Sequence, residues 1–202
     1  MPRIISGSAR GTRLTAPRGE ATRPTGDRVK EALFSILTPF LPADGFLDLY
    51  AGTGQIGLEA ASRGSSPVLL VEKSAPALAA IRTNLAKTRL EDKVTVLAGD
   101  IAACLRQLIA QERRFALVFL DPPYLTALND FTSLAPDLGR LIKPGGLVIL
   151  EHESRQEPPP FVTNLQLWRS CQYGIAMLSF YKVDQTAGLA ANSQVDRLQS
   201  AD

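Results

Sequence analysis

From Phe46 to Leu150 the chain alternates short apolar runs with segments of helical periodicity, and no other feature narrows its possible folds as much. The runs are Phe46–Tyr50, Val68–Val71, Val94–Leu97, Phe115–Leu120 and Leu147–Leu150. Each is too short for a helix and reads as a strand; the continuous ones predict strands buried on both faces, as in a parallel sheet. Between them, residues 56–63, 76–90, 101–112 and 134–142 carry helical patterns, with Leu78, Ile81, Leu85 and Ala86 on one face of the second. Strand–helix alternation of this kind implies parallel strands joined by right-handed crossovers. Past Pro158–Pro160 the period changes to two. Leu165–Trp168 and Ile175–Tyr181 flank Gly174 and predict an antiparallel hairpin.

Ahead of the alternation, Val29, Ala32, Leu33, Ile36 and Leu37 predict one more helix, capped by Asp27 or Thr25 and ended by Pro39. Residues 1–22 are basic and rich in Gly, Ser and Thr. Arg3–Gly7 and Arg13–Thr15 read as two short strands around a Gly7–Gly11 turn. At 202 residues, 45% hydrophobic and 21% charged, the chain fits one domain with a sizeable core. The expected division is a basic extension at 1–24, the α/β domain at 25–183 and a flexible polar tail at 184–202.

Charge is unevenly spread. Residues 1–30 hold seven Lys/Arg against two acids, a net +5, which leaves the rest of this +2 chain at −3. A basic arm on a mildly acidic body suggests a polyanion partner, and a solvated leader is the bland reading of the same charges. Two cysteines, Cys104 and Cys171, make no disulfide framework and lie in no metal-ligand spacing. His152 is the one histidine, which argues against the usual zinc sites and any histidine-based triad, so no metal is expected. No apolar stretch approaches the ~20 residues of a membrane span, and no apolar leader marks secretion. A cytoplasmic enzyme or binding protein is the expectation.

The first crossover opens Asp48-Leu-Tyr-Ala-Gly52-Thr-Gly54-Gln-Ile-Gly57. Glycines 52, 54 and 57 have the spacing that lets backbone approach a ligand and helix pack on strand. That spacing alone is weak, since a structural tight turn also satisfies it. The next strand ends in Glu72, 20 residues after Gly52, where an acid can accept both hydroxyls of a ribose. Asp48, beside the loop, would repel a pyrophosphate but can receive an ammonium. Asp100, after the third strand, can accept an adenine amino group. Acids at the ends of three consecutive strands suit S-adenosylmethionine, a cationic cofactor, better than a dinucleotide. Each acid taken singly is as readily a turn or cap residue.

The fourth strand runs into Asp121-Pro-Pro-Tyr124. Neither proline can continue a central strand, and Pro123 biases Pro122 to an extended conformation. The result is a stiff platform at the carboxyl end of a strand, where open α/β sheets bind ligands. It offers the acceptor Asp121, the carbonyl of Pro122 and the flat face of Tyr124, the parts needed to hold a planar group bearing an amine.

These motifs together resemble the bacterial 16S ribosomal RNA guanine-N2 methyltransferases, the RsmD family, over about residues 3–182. The resemblance is carried by Arg3-Ile-Ile-Ser-Gly with Arg10-Gly11 and Arg13-Leu14, by Arg23-Pro-Thr-Gly-Asp-Arg28-Val-Lys-Glu-Ala-Leu-Phe34, by Leu47–Gly54 with Gly57-Leu-Glu-Ala, and by Asp121-Pro-Pro-Tyr124. The glycine loop and Asp-Pro-Pro-Tyr mark amino-methyltransferases in general, while the Arg-Pro-Thr helix is far more specific. Tyr50 stands where the family often has Phe, and Gln55 where a small residue is common. The resemblance implies a class I S-adenosylmethionine-dependent methyltransferase of Rossmann-like fold. Its sheet has seven strands, mostly parallel, ending in an antiparallel hairpin, with a short basic hairpin in front. It implies transfer to the exocyclic amine of one guanosine of 16S rRNA, in an assembled or partly assembled small subunit; a monomer is expected separately, since no obvious interface motif is present.

The site residues expected on this reading are Asp121, Pro122 and Tyr124 at the amine. Asp48, Tyr50, Gly52, Gly54, Glu72 and Asp100 fall to the cofactor, and Arg3, Arg10, Arg13 and Arg23 to RNA phosphate. Two rivals remain: a DNA or protein amino-methyltransferase of the same fold, and a non-catalytic RNA-binding domain. A DNA enzyme should carry a sizeable target-recognition segment, for which the chain has little room. The intact Asp121–Tyr124 motif argues against a domain without catalysis.

Overall fold

The computed structural model describes residues 2–16 and 27–184. Helix α1 (Asp27–Leu37) and one 3-10 turn (Thr38–Phe40) lead into β1 (Asp44–Leu49), α2 (Gln55–Ser62), β2 (Ser66–Glu72), α3 (Ala75–Thr88), β3 (Val94–Ala98), α4 (Ile101–Ala110), β4 (Phe115–Leu120), α5 (Ala127–Leu141), β5 (Ile142–Glu153), β6 (Phe161–Val162), β7 (Leu165–Tyr173) and β8 (Ala176–Val183). They form one sheet in the order β3-β2-β1-β4-β5-β8-β7-β6. β1 to β5 run parallel, and β8 returns antiparallel to β5. This is the fold of class I S-adenosylmethionine-dependent methyltransferases. The edge carries an eighth strand, the two-residue β6, beyond the seven expected. It follows Pro158–Pro160 too closely to show a period of its own.

The pleat sends successive side chains to opposite faces, and two cores result. Phe46, Val68, Leu70, Leu117, Phe119, Leu147 and Ile149 pack against helices α1 to α3. Leu47, Leu49, Leu69, Val71, Val118, Leu120, Val148 and Leu150 pack against α4 and α5. Two helical expectations change. α5 begins at Ala127, seven residues before its apolar pattern shows, and keeps Pro136 inside it. The expected Lys143–Gly146 turn is absorbed into β5 as an irregularity, since Phe115 pairs with Ile142 but Leu117 with Leu147. A Cβ on Gly146 would stand 2.5 Å from the Ala116 carbonyl oxygen, so that crossing of strands requires glycine.

The basic arm is part of the globule. Arg3 and Arg13 form a single antiparallel bridge, and Ile4 and Leu14 are wholly buried in the first core. Glu59 of α2, also wholly buried, accepts the backbone N–H of Ile5 at 2.7 Å and of Ser6 at 3.0 Å. Arg63 pairs with the same carboxylate at 2.8 Å and Lys30 stands 4.0 Å from it. Lys30 also donates to the Arg3 carbonyl. Ser62 accepts from Ala9 N–H and donates to the Ser6 carbonyl, and Asn84 of α3 both accepts from and donates to Thr15. Gly7, at φ +85°, lies so close that a Cβ would fall 1.8 Å from the Ser62 carbonyl oxygen. The expected boundary at residue 24, Thr25 and Arg23 lie outside the described residues, as does the tail from 185.

Candidate active site at the carboxyl edge of the sheet

Strand order reverses between β1 and β4, because β2 and β3 lie to one side of β1 and β5 to the other. Crevices at such a switch point hold ligands in open α/β sheets. The register brings the expected residues together there. Leu49 pairs with Leu120 and Leu120 with Leu150, so Tyr50, Asp121 and Glu151 follow in adjacent strands. Asp121 N–H lies 3.4 Å from the Leu49 carbonyl oxygen.

The glycine loop turns through three left-handed residues at alternate positions: Tyr50 at φ +61°, Gly52 at +55° and Gly54 at +76°. For an aromatic residue this conformation is strained, and such strain gathers at functional sites. Burial, then the neighbouring Asp130 carboxylate, push the Tyr50 phenol well above its ordinary range. Gly57 is required for packing, since a Cβ there would stand 2.1 Å from Leu70 Cδ2. Around Gly52 a Cβ would meet nothing nearer than 3.9 Å, the Tyr50 carbonyl of its own loop, so that face is open to a ligand.

Glu72 supports the loop. One carboxylate oxygen accepts from Gly52 N–H at 2.8 Å, and the other from Lys73 and Ser74 N–H at 2.8 Å. It is half-buried, so acceptor capacity remains on its loop-facing oxygen. Asp48 is 2% exposed and accepts Gly57 N–H at 2.8 Å in the first turn of α2. The ammonium contact expected of it therefore has little surface to act through. Asp100 is exposed and caps α4 by accepting Ala103 N–H at 3.3 Å. Its cap leaves a second oxygen for an adenine amine.

Three carboxyls stand on adjacent central strands, Asp121 and Glu151 level with each other and Asp48 two residues earlier in register. Burial, offset in part by Gly57 N–H and raised further by Asp121 and Glu72, pushes Asp48 up to about 8. Burial pushes Asp121 up to about 7. Burial and the Asp121 charge push Glu151 up to about 8. A cation in the crevice would relieve all three. The open face at Gly52, the half-buried Glu72 and this excess of acids fit S-adenosylmethionine.

At the amine end, Pro122 is buried and Tyr124 half-buried. Thr126 N–H donates to the Pro123 carbonyl at 2.9 Å and turns the chain into α5. Among the described residues nothing donates to the Asp121 carboxylate or to the Pro122 carbonyl. The next residues of the motif, Pro123 and Tyr124, line a cleft of about 530 Å³ together with Leu125 and Glu153. Tyr124 hydroxyl lies 3.4 Å from Glu151 Oε1. Glu151 is not among the residues expected here from sequence. Its signal is the same as that of Asp121, an acid closing a continuous apolar run. His152 has its back to the crevice, wholly buried and bonded to Ser179 Oγ at 2.8 Å.

Of the residues expected to meet RNA, Arg3, Arg10 and Arg13 are exposed on the docked arm. No helix of the described residues is long and apolar enough to cross a membrane.

The family model described as "Conserved hypothetical protein 95" matches residues 2–182. The Bacillus subtilis protein YlbH is 34% identical over 188 residues, covering 89% of this chain and 98% of its own. Ribosomal RNA small subunit methyltransferase D of Escherichia coli K12 is 33% identical over 181 residues, covering 89% of each chain. The solved structure of a hypothetical protein from Thermus thermophilus superposes with a TM-score of 0.80 at 33% identity, covering 91% of this chain and 100% of that one. With its glycine loop, acid rim and Asp-Pro-Pro-Tyr corner in place, the chain belongs to the conserved hypothetical protein 95 family, the RsmD methyltransferases.

Proposed function

We propose that this protein transfers a methyl group from S-adenosylmethionine to the N2 amine of a guanosine in 16S rRNA of the small ribosomal subunit. The observation that carries the reading is the pair of acceptors without donors among the described residues, Asp121 carboxylate and Pro122 carbonyl, directly before Tyr124 at the carboxyl end of a central strand. A similar protein of E. coli bears the name ribosomal RNA small subunit methyltransferase D, which supports the substrate class. The cofactor supplies an electrophilic methyl group on a sulfonium. Gly52, Gly54, Glu72, Asp100, Tyr50 and the buried Asp48 would hold it.

The remaining work falls to the chain. A guanine N2 lone pair is delocalised into the ring, so the amine is a poor nucleophile. Asp121 and the Pro122 carbonyl each accept one of its N–H bonds, which orients it and favours a pyramidal nitrogen. Positive charge grows on that nitrogen during transfer, so both acceptors bind the transition state better than the ground state. Tyr124 stacks on the base, at about 1–3 kcal/mol. A target in a helix must be extruded to reach it. The protein acts in the cytoplasm as a monomer on this reading.

Methylation of purified small subunits with labelled cofactor, followed by nucleoside mass spectrometry, tests the function. N2-methylguanosine is the expected product, and a label found only in protein or DNA would overturn the reading. Glu72→Ala should weaken cofactor binding by roughly 10- to 100-fold, since it removes a ribose acceptor and frees three loop N–H groups. Calorimetry giving wild-type affinity would take Glu72 out of the cofactor site.

The exposed arginines of the arm would contact RNA phosphate through their rigid fork of donors. Deleting residues 1–20 is a poor test, because Ile4 and Leu14 would leave the core. Combined replacement of Arg3, Arg10 and Arg13 by alanine avoids this. Each lost contact should flatten the logarithmic salt dependence of RNA binding by about 0.7–0.9, with cofactor affinity unchanged. Parallel slopes for the two proteins would mean that the arm's charge is merely solvated.

A further inference from the structure

Glu151 is a buried acid with no part in the mechanism so far. It is 3% exposed, and its Oε2 has no hydrogen-bond partner among the described residues. Its Oε1 faces the Tyr124 hydroxyl at 3.4 Å. Strand register sets it beside Asp121, one residue past the Leu120–Leu150 pair. On its other side β8 offers Leu178, with Met177 and Ser179 flanking, and no charge. Among the described residues the titratable groups that act on it are Asp121, whose charge raises it, and Tyr124, whose hydrogen bond offsets this in part. A buried carboxylate without a cation or a full set of donors is costly, and two carboxylates side by side cannot readily both ionise.

We propose that Glu151 enters the reaction protonated, as the neutral member of a carboxyl pair in which Asp121 carries the charge. The inference rests on the amine-methylation reading above and adds a positioning residue to it. A protonated Glu151 has a proton to donate toward Asp121, holding that carboxylate ionised and aimed at the amine. When the carbon–nitrogen bond forms and the carbon–sulfur bond breaks, the electron pair stays on sulfur. The nitrogen, now cationic, passes one N–H proton to Asp121. The pair is then two neutral carboxyls beside a neutral thioether. Before transfer it was one carboxylate beside one sulfonium, so the summed charge of pair and sulfur centre stays at zero. In a desolvated site this avoids exposing an unpaired charge at either stage. The raised position of Glu151, about 8, is consistent with it.

The test needs two readouts. The first uses the protein without cofactor or RNA. An acid whose folded value lies above its unfolded value of ~4.3 makes the folded state hold the extra proton. Its contribution to stability is therefore fully present below pH ~4 and is lost as pH rises toward about 8. Glu151→Gln removes that loss, so its melting temperature should gain on wild type steadily from pH 5 to pH 8. Parallel curves would overturn the proposal. The second readout is single-turnover transfer at pH 7 on purified subunits. Glutamine mimics a protonated glutamate and keeps a donor for Asp121, so Glu151→Gln should stay within ~10-fold of wild type. Glu151→Leu should lose ~100-fold or more with cofactor affinity little changed. Glutamine no better than leucine would also overturn it. If subunits prove not to be the substrate, the melting curves still decide the protonation of Glu151 by themselves.

Discussion

Asp121→Ala should abolish methyl transfer, with a loss of at least ~100- to 1,000-fold in single turnover, while cofactor affinity changes little. The size follows from where the acceptor sits. Apart from the proton proposed on Glu151, Asp121 has no donor among the described residues, so its carboxylate serves no structural contact. It meets the amine where positive charge develops, in a site shielded from water. Asp121→Asn keeps one acceptor oxygen but loses the charge and the site for the amine proton, so it should fall between alanine and wild type. The alanine protein should also fold well. Removing one of three crowded acids relieves Asp48 and Glu151, both of which the Asp121 charge pushes upward. A transfer assay on small subunits with each variant checks this, and near-normal turnover for Asp121→Ala would sink the assigned role.

Glu59→Ala should be the most damaging single change to stability, at about 3–5 kcal/mol. The carboxylate is wholly buried and serves four groups at once: the N–H of Ile5 and Ser6, Arg63 and Lys30. Its loss takes an acid away from the wholly buried Lys30 ammonium and leaves the Ile5 and Ser6 N–H groups without their acceptor. Urea unfolding would measure the effect, and limited proteolysis would show whether the arm detaches first. A cost below ~1 kcal/mol would mean that the arm is held by Ile4, Leu14 and the Ser62 and Asn84 bonds alone.

Between these two residues lies the contrast in what a sequence discloses. Asp121 is legible because its environment is local: a continuous apolar run, an abrupt pair of prolines and an aromatic. Glu59 carries a weaker mark, one acid in the apolar stretch Ile56–Ala61 of α2. Its partners are 53 and 54 residues away, and nothing periodic points to them. Glu151 ends its apolar run as Asp121 ends β4, yet only the pairing of β4 with β5 reveals that the two acids are neighbours.

Sequence alone determined the seven longer strands, the presence of the helices between them, the glycine loop and the acid-ended edge, because burial on two faces and backbone conformation write themselves into short stretches of chain, whereas the two-residue β6 and the start of α5 left no such mark. Tertiary structure decided what distance along the chain conceals. It docked the basic arm onto α2 and α3 as part of the core, it turned Asp48 inward beneath the loop, and it crowded Asp48, Asp121 and Glu151 into one desolvated crevice. Hydrogen bonding to a remote backbone, and the energy of like charges in a low dielectric, depend on which strands lie side by side. That order is set by the packing of the whole sheet.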